Sequence, residues 1–191
     1  MARSDPAMAI ASMAGAFTSG TMRGGIDDGI IAVAYAAGAM AVSYGVKGTF
    51  GEVESRGMNK AEIAAARKVF GNKIDYDRVQ IINGKYLPWQ GDNIVMAPDG
   101  NIYWQNAPES LTIAMDTFIH EMTHVLQYQH GVNVLGRGAV LQTMKYLSGE
   151  TYDPYAYDPS NMKAWGSYNI EQQGDIAVQI YKGNAPNIIQ Y

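Results

Sequence analysis

The 191-residue chain contains no cysteine. That excludes a disulfide framework and any thiolate metal site, so a bound metal would need nitrogen and oxygen donors. Positive charge is also short: 14 Lys and Arg against 18 Asp and Glu leave a net charge of −4. A nucleic-acid-binding chain carries a basic footprint that is missing here. No N-terminal export signal is expected either, because the apolar run GIIAVAYAAGAMAVSYGV (29–46) lies far from the start and follows Asp27 and Asp28 rather than a basic stretch. Histidine is scarce. All three, His120, His124 and His130, fall in the stretch FIHEMTHVLQYQHG (118–131).

The chain divides into two parts by composition. Residues 1–57 are rich in Gly, Ala and Met and read as a mainly helical segment serving loading, membrane passage or packing. Within it, residues 29–46 carry no charge but fall short of the roughly 20 apolar residues a bilayer span needs. They read as a buried small-residue helix or helix pair, or as a membrane contact with Ala34 and Gly38 as a small-residue face. Residues 58–191 read as one α+β domain, and 47% hydrophobic residues supply a core. Asn59 caps a helix with Glu62 completing a capping box and Met58 and Ile63 as its staple, and Gly71 ends it. Strand-like pieces follow at 75–82 and 93–97. Pro98-Asp99-Gly100 then turns the chain into a returning strand, NIYWQ, at 101–105.

His120-Glu121-Met122-Thr123-His124 is an HExxH motif. On a helix, positions i and i+4 share a face, so both imidazoles reach one metal ion. Glu121 beside them can take a proton from a water that the metal has acidified to a pKa of about 7. Phe118, Ile119, Val125 and Leu126 predict a buried helix, and polar groups in a buried helix need partners.

The third ligand has several candidates. His130 stands at the metzincin spacing, but Gln127 occupies the position of that motif's helix-breaking glycine. A continuous helix puts His130 roughly 80° around and about 15 Å along from His120. Gly131 then ends the helix with His130 in its last turn. Glu171 and Asp175 in SYNIEQQGDIAVQIY (167–181) lie four apart: one carboxylate can ligate while the other orients a histidine through its free N–H. Glu150 competes from a loop-like stretch. For stabilising an oxyanion a tyrosine is expected, Tyr168 first, with Tyr152, Tyr155 and Tyr157 as alternatives.

Taken together, MNKAEIAAARKVFGNKIDYDRVQIINGKYLP, NIVMAPDGNIYW, TFIHEMTHVLQYQHG and YNIEQQGDI resemble, in order and spacing, the metallopeptidase domain at the C-terminus of some VgrG-type spike proteins and related effectors of bacterial type VI secretion. The resemblance covers about residues 58–183. It implies a small zincin in which a short sheet lies over the active-site helix. One Zn2+ per chain would be held by His120, His124 and Glu171, with Glu121 as general base. It also implies a toxin that hydrolyses a protein or peptide substrate, with an immunity protein and a secretion spike or chaperone as partners. Such a protein would be made in the bacterial cytoplasm and exported by contact into a target cell, to its periplasm or to a host cytosol. The alternative is a binding or membrane-perturbing toxin in which the metal is structural.

Overall fold

Asn59 opens the first helix, α1 (Lys60–Phe70), by accepting hydrogen bonds from the backbone N–H groups of Ala61 and Glu62, while the Glu62 carboxylate accepts from Asn59 N–H. Both halves of the capping box therefore form, and Gly71, at φ +58°, ends the helix in the left-handed region open to glycine. The computed structural model describes residues 54–87, 90–149 and 151–191. The expectations for residues 29–46 and for Glu150 lie outside them. Among the described residues no helix is long and apolar enough to cross a membrane.

The architecture is α+β, with one small sheet and four α-helices among the described residues. Strand β1 (Ser55–Gly57) pairs antiparallel with β2 (Gln80–Ile82), which pairs in parallel with β3 (Ile102–Tyr103). The strand expected over 75–82 is shorter than its sequence suggests. Tyr76 is buried and donates its hydroxyl to Gly71 O at 2.8 Å, drawing Tyr76–Arg78 into a 3-10 turn against the end of α1.

The hairpin expected over 93–105 turns at Pro98-Asp99-Gly100 but shrinks to one bridge, between Met96 and Tyr103. Its upstream arm curls away because the backbone of Ile94 is held by local hydrogen bonds while its side chain stays exposed. Ile94 N–H donates to Gly91 O at 3.1 Å, and its carbonyl accepts from the Gln90 amide at 2.6 Å. Gly100 is required at the turn: its φ is +88°, and a Cβ there would stand 2.8 Å from the ring of Tyr128.

Helix α2 (Met115–Gln129) carries the histidines, α3 (Val134–Leu147) follows, and α4 (Ile170–Tyr181) closes the domain. Phe118, Ile119, Met122, Val125 and Leu126 of α2 are fully buried with Phe70, Ile102 and Ile176, so the helix is anchored between α1, the sheet and α4. Residues Asn133 and Asn169 cap α3 and α4, the latter in a second capping box with Gln172. The amphipathic spacing of α2 and α4 places their polar stripes face to face, while their apolar stripes share the core.

Glu62 joins three pieces of this scaffold. It has no exposed surface, and its carboxylate accepts two bonds from the Arg56 guanidinium (2.8 and 2.9 Å), one from Asn59 N–H and one from Leu111 N–H (2.8 Å each). Burial pushes its pKa up. The bonds from Arg56, Leu111 and Asn59 outweigh that and hold it below the usual carboxylate range. The charge ties β1 and α1 to the turn that leads into α2. Glu62→Ala is expected to cost about 3–5 kcal/mol, because it leaves a buried joint unpaired. The exposed neighbour Glu54→Ala should stay within about 0.5 kcal/mol. Urea unfolding of the two variants checks this, and equal losses would show that Glu62 is not the joint.

Candidate metal centre

On α2, positions 120, 124 and 127 fall in one stripe, at i, i+4 and i+7, and this stripe faces α4. On α4, Glu171 and Asp175 stand four apart and meet it. His120 Nε2 lies 3.2 Å and His124 Nε2 3.6 Å from Glu171 Oε2, and His120 Nδ1 lies 3.0 Å from Asp175 Oδ1. Gly174 sets how closely the helices approach. A Cβ there would come within 2.5 to 2.8 Å of three atoms of the His120 ring, so any other residue would push α4 off the imidazole.

Each of His120, His124 and Glu171 offers one donor atom, and these atoms lie within 4.8 Å of one another. Two imidazole nitrogens and one carboxylate oxygen suit a divalent ion of the zinc type with a further position open for water or substrate. Glu121 adds an independent sign. It is buried, and its Oε2 has no hydrogen-bond partner, although buried polar atoms are nearly always paired. An unpaired carboxylate oxygen beside the three donors fits a group that meets a reacting molecule.

The electrostatics follow from the crowding. Burial alone would lower the His120 pKa, but the Asp175 and Glu171 carboxylates bonded to its two nitrogens push it up to about 10. Burial works against His124 in the same way, and Glu171 more than offsets it, so its pKa is also raised. For Glu171 burial acts upward, yet the two imidazoles hold it well below the usual carboxylate range. Glu121 goes the other way: burial pushes it up to about 6, and the neighbouring His124 and His120 only partly compensate. Two carboxylates side by side thus differ in basicity because one is bonded to imidazoles and the other is not.

A cavity of about 590 Å³ opens onto these groups. His120, Glu121, His124 and Glu171 form one side. Val95, Met96, Leu135 and Ala139 form apolar walls, and Gln142 and Tyr155 contribute polar atoms. Leu135 and Ala139 of α3 pack with Tyr86 and Met96, which holds that wall in place.

Among the tyrosines expected near the site, Tyr155 lines the cavity, its ring centroid 6.2 Å from that of His120. Burial first, then the charge of Glu171, raise its pKa, so the phenol keeps its proton. Tyr168 is not among the lining residues. Its hydroxyl accepts from Lys163 N–H at 2.7 Å and turns to Met162 Sδ, and its ring packs at 6.0 Å from that of Tyr157. Tyr152 packs beside Val134, Leu141 and Ile170.

His130 sits outside the donor cluster. Its Nδ1–H donates to Leu126 O at 2.9 Å and its ring lies 4.7 Å from that of Tyr191, while Gly131, at φ +82°, ends the helix. The helix runs unbroken through Gln127, as its sequence leads one to expect. In sequence Gln127 stands only as the residue that lets the helix continue; in the fold its amide oxygen also faces His124 Nδ1 at 2.8 Å. Its position on the histidine stripe was the available signal.

No family model matches the chain. Over 129 residues, 63% of this chain, it is 47% identical to the type VI secretion system spike protein VgrG2b of Pseudomonas aeruginosa, of whose length it spans 12%. The solved effector domain of that VgrG2b is 40% identical, with a TM-score of 0.69 over 80% of this chain and 87% of the domain. The chain belongs to the family of the VgrG2b effector domain.

Proposed function

We propose that the chain is a zinc-dependent endopeptidase of the zincin type that acts as a type VI secretion effector. The observation that carries this reading is the convergence of His120, His124 and Glu171 within 4.8 Å beside a buried Glu121 whose Oε2 has no hydrogen-bond partner, at the edge of a cavity of about 590 Å³. The effector role is supported by the relationship to the effector domain of a spike protein. Delivery would be by such a spike into a target cell, the substrate would be a protein there, and an immunity protein would guard the producer.

His120, His124 and Glu171 would hold the ion. Bound there, zinc supplies Lewis acidity toward a scissile carbonyl and lowers the pKa of a water to about 7. Glu121 would take a proton from a water at the site and return it to the leaving amine. Its pKa, pushed up to about 6 by burial, suits a group that must both take and return a proton near neutrality. Asp175 accepts from His120 Nδ1–H, which turns Nε2 toward the site. Tyr155 keeps its proton and donates to the oxyanion that develops on the carbonyl, the part expected of Tyr168 from sequence. The apolar walls keep bulk water from these groups and so strengthen each interaction.

Elemental analysis of the purified protein should find one zinc per chain, lost in His124→Ala and Glu171→Ala and kept in His130→Ala. Retention of zinc in Glu171→Ala would remove that carboxylate from the ligand set. Glu121→Gln is expected to keep zinc and lower peptidase turnover at least 100-fold. Tyr155→Phe should lower turnover about 100-fold and Tyr168→Phe should not; toxicity in Glu121→Gln equal to that of wild type would sink the peptidase reading. Zinc binding should also release protons. His120 at a pKa of about 10 is protonated at pH 7, and a ligating imidazole must be neutral. Calorimetry in buffers of different ionisation enthalpy should show at least one proton released, falling toward none as pH rises past 10.

A further inference from the structure

The second histidine of the motif is held by an amide rather than a carboxylate, and the orientation of that amide is dictated from outside the site. Gln173 Nε2 lies 3.1 Å from Trp165 O and 3.2 Å from Tyr168 O. Both are carbonyls, which only accept, so the Gln173 NH2 must point to them and its Oε1 must point away. That oxygen accepts from Gln127 Nε2 at 2.8 Å, and Gln127 Nε2 also donates to Ile170 O at 3.1 Å. The Gln127 amide is therefore fixed as well: turned over, its oxygen would face two acceptors. Its Oε1 is left 2.8 Å from His124 Nδ1, and since an amide oxygen only accepts, that nitrogen must carry the proton. Gln127 has no exposed surface and Gln173 is buried, so water offers no alternative partner.

Building on the metal-site reading above, we propose that Gln127 is a positioning residue: through the relay from Gln173 it holds His124 with the proton on Nδ1 and the lone pair on Nε2, directed at the Glu171 side of the site. Its neutral amide complements the charged Asp175 that holds His120, so the two histidines of the motif are oriented by partners of different charge. A glycine or an apolar residue at this position would leave Nδ1, Ile170 O and Gln173 Oε1 without this partner.

The test uses the full chain, with zinc as the probe. Gln127→Met, similar in shape and without a strong acceptor, should weaken zinc binding in competition with a chelator by about 10- to 100-fold. Gln127→Glu also accepts from Nδ1–H and should bind zinc as tightly as wild type. It should nevertheless melt lower, because its carboxylate faces Ile170 O and Gln173 Oε1. A merely structural glutamine would lower the melting temperature in both variants and change zinc affinity in neither, and that result would overturn the proposal. Long-range 15N–1H spectra of the metal-free wild type, at a pH that leaves the ring neutral, should show His124 with hydrogen on Nδ1. Hydrogen on Nε2 would overturn the relay whether or not zinc binds, and this readout needs no variant to fold. Failure of wild type to bind zinc, with Nδ1–H present, would instead sink the metal-site reading and leave the relay standing.

Discussion

The structure depends on the close contact of α2 and α4 along their polar stripes. Helices normally bury apolar ridges against each other, and here they also enclose His120, Glu121, His124, Glu171 and Asp175, with both amides of the Gln127–Gln173 pair between them. Burying so many polar groups is tolerable only when they satisfy one another. Gly174 lets the helices come near enough for that, since its missing side chain is the space the His120 ring occupies. The surrounding core, from Phe118 and Leu126 on α2 to Ile176 on α4, holds the register once that approach is made.

The same contact gives each polar group a different character. Glu171, hydrogen-bonded to His120 and with His124 Nε2 3.6 Å away, is held well below the usual carboxylate range, whereas Glu121 one residue from His120 lacks such partners and is pushed up to about 6 by burial. The proposed ligand and base roles call for these opposite tendencies in neighbouring carboxylates. The rest of the scaffold supports the arrangement from a distance. Glu62 locks the approach to α2 through Leu111 N–H, the Gly100 turn rests on Tyr128, and α3 walls the cavity with Leu135 and Ala139.

Local rules read well from the chain where the physics is local. The capping box at Asn59 and Glu62, the stop at Gly71 and the helical end at His130 and Gly131 each depend on residues within one turn of each other. Strands were less legible. Residues 75–82 and 93–105 have the alternation of strands, but Tyr76 anchors to Gly71 O and Gln90 captures Ile94 O, and such capture by a side chain leaves no mark in the alternation. The tyrosines show the same limit: four of them crowd one stretch of sequence between 152 and 168, and only packing turned Tyr155 to the cavity and Tyr168 to Lys163 and Met162.

The sequence by itself determined the stripe on α2 and the pair on α4, because helical periodicity alone puts His120 with His124 and Glu171 with Asp175 on common faces. It also determined that the helix runs through Gln127 and leaves His130 at its end. Only the tertiary structure decided that these two stripes meet, which nitrogen faces which carboxylate oxygen, and that a glutamine serves as partner to the second histidine. Those outcomes depend on the separation and rotation of two helices far apart in the chain. That geometry is set by the packing of Gly174 on His120 and of the apolar faces behind them, which no local pattern encodes.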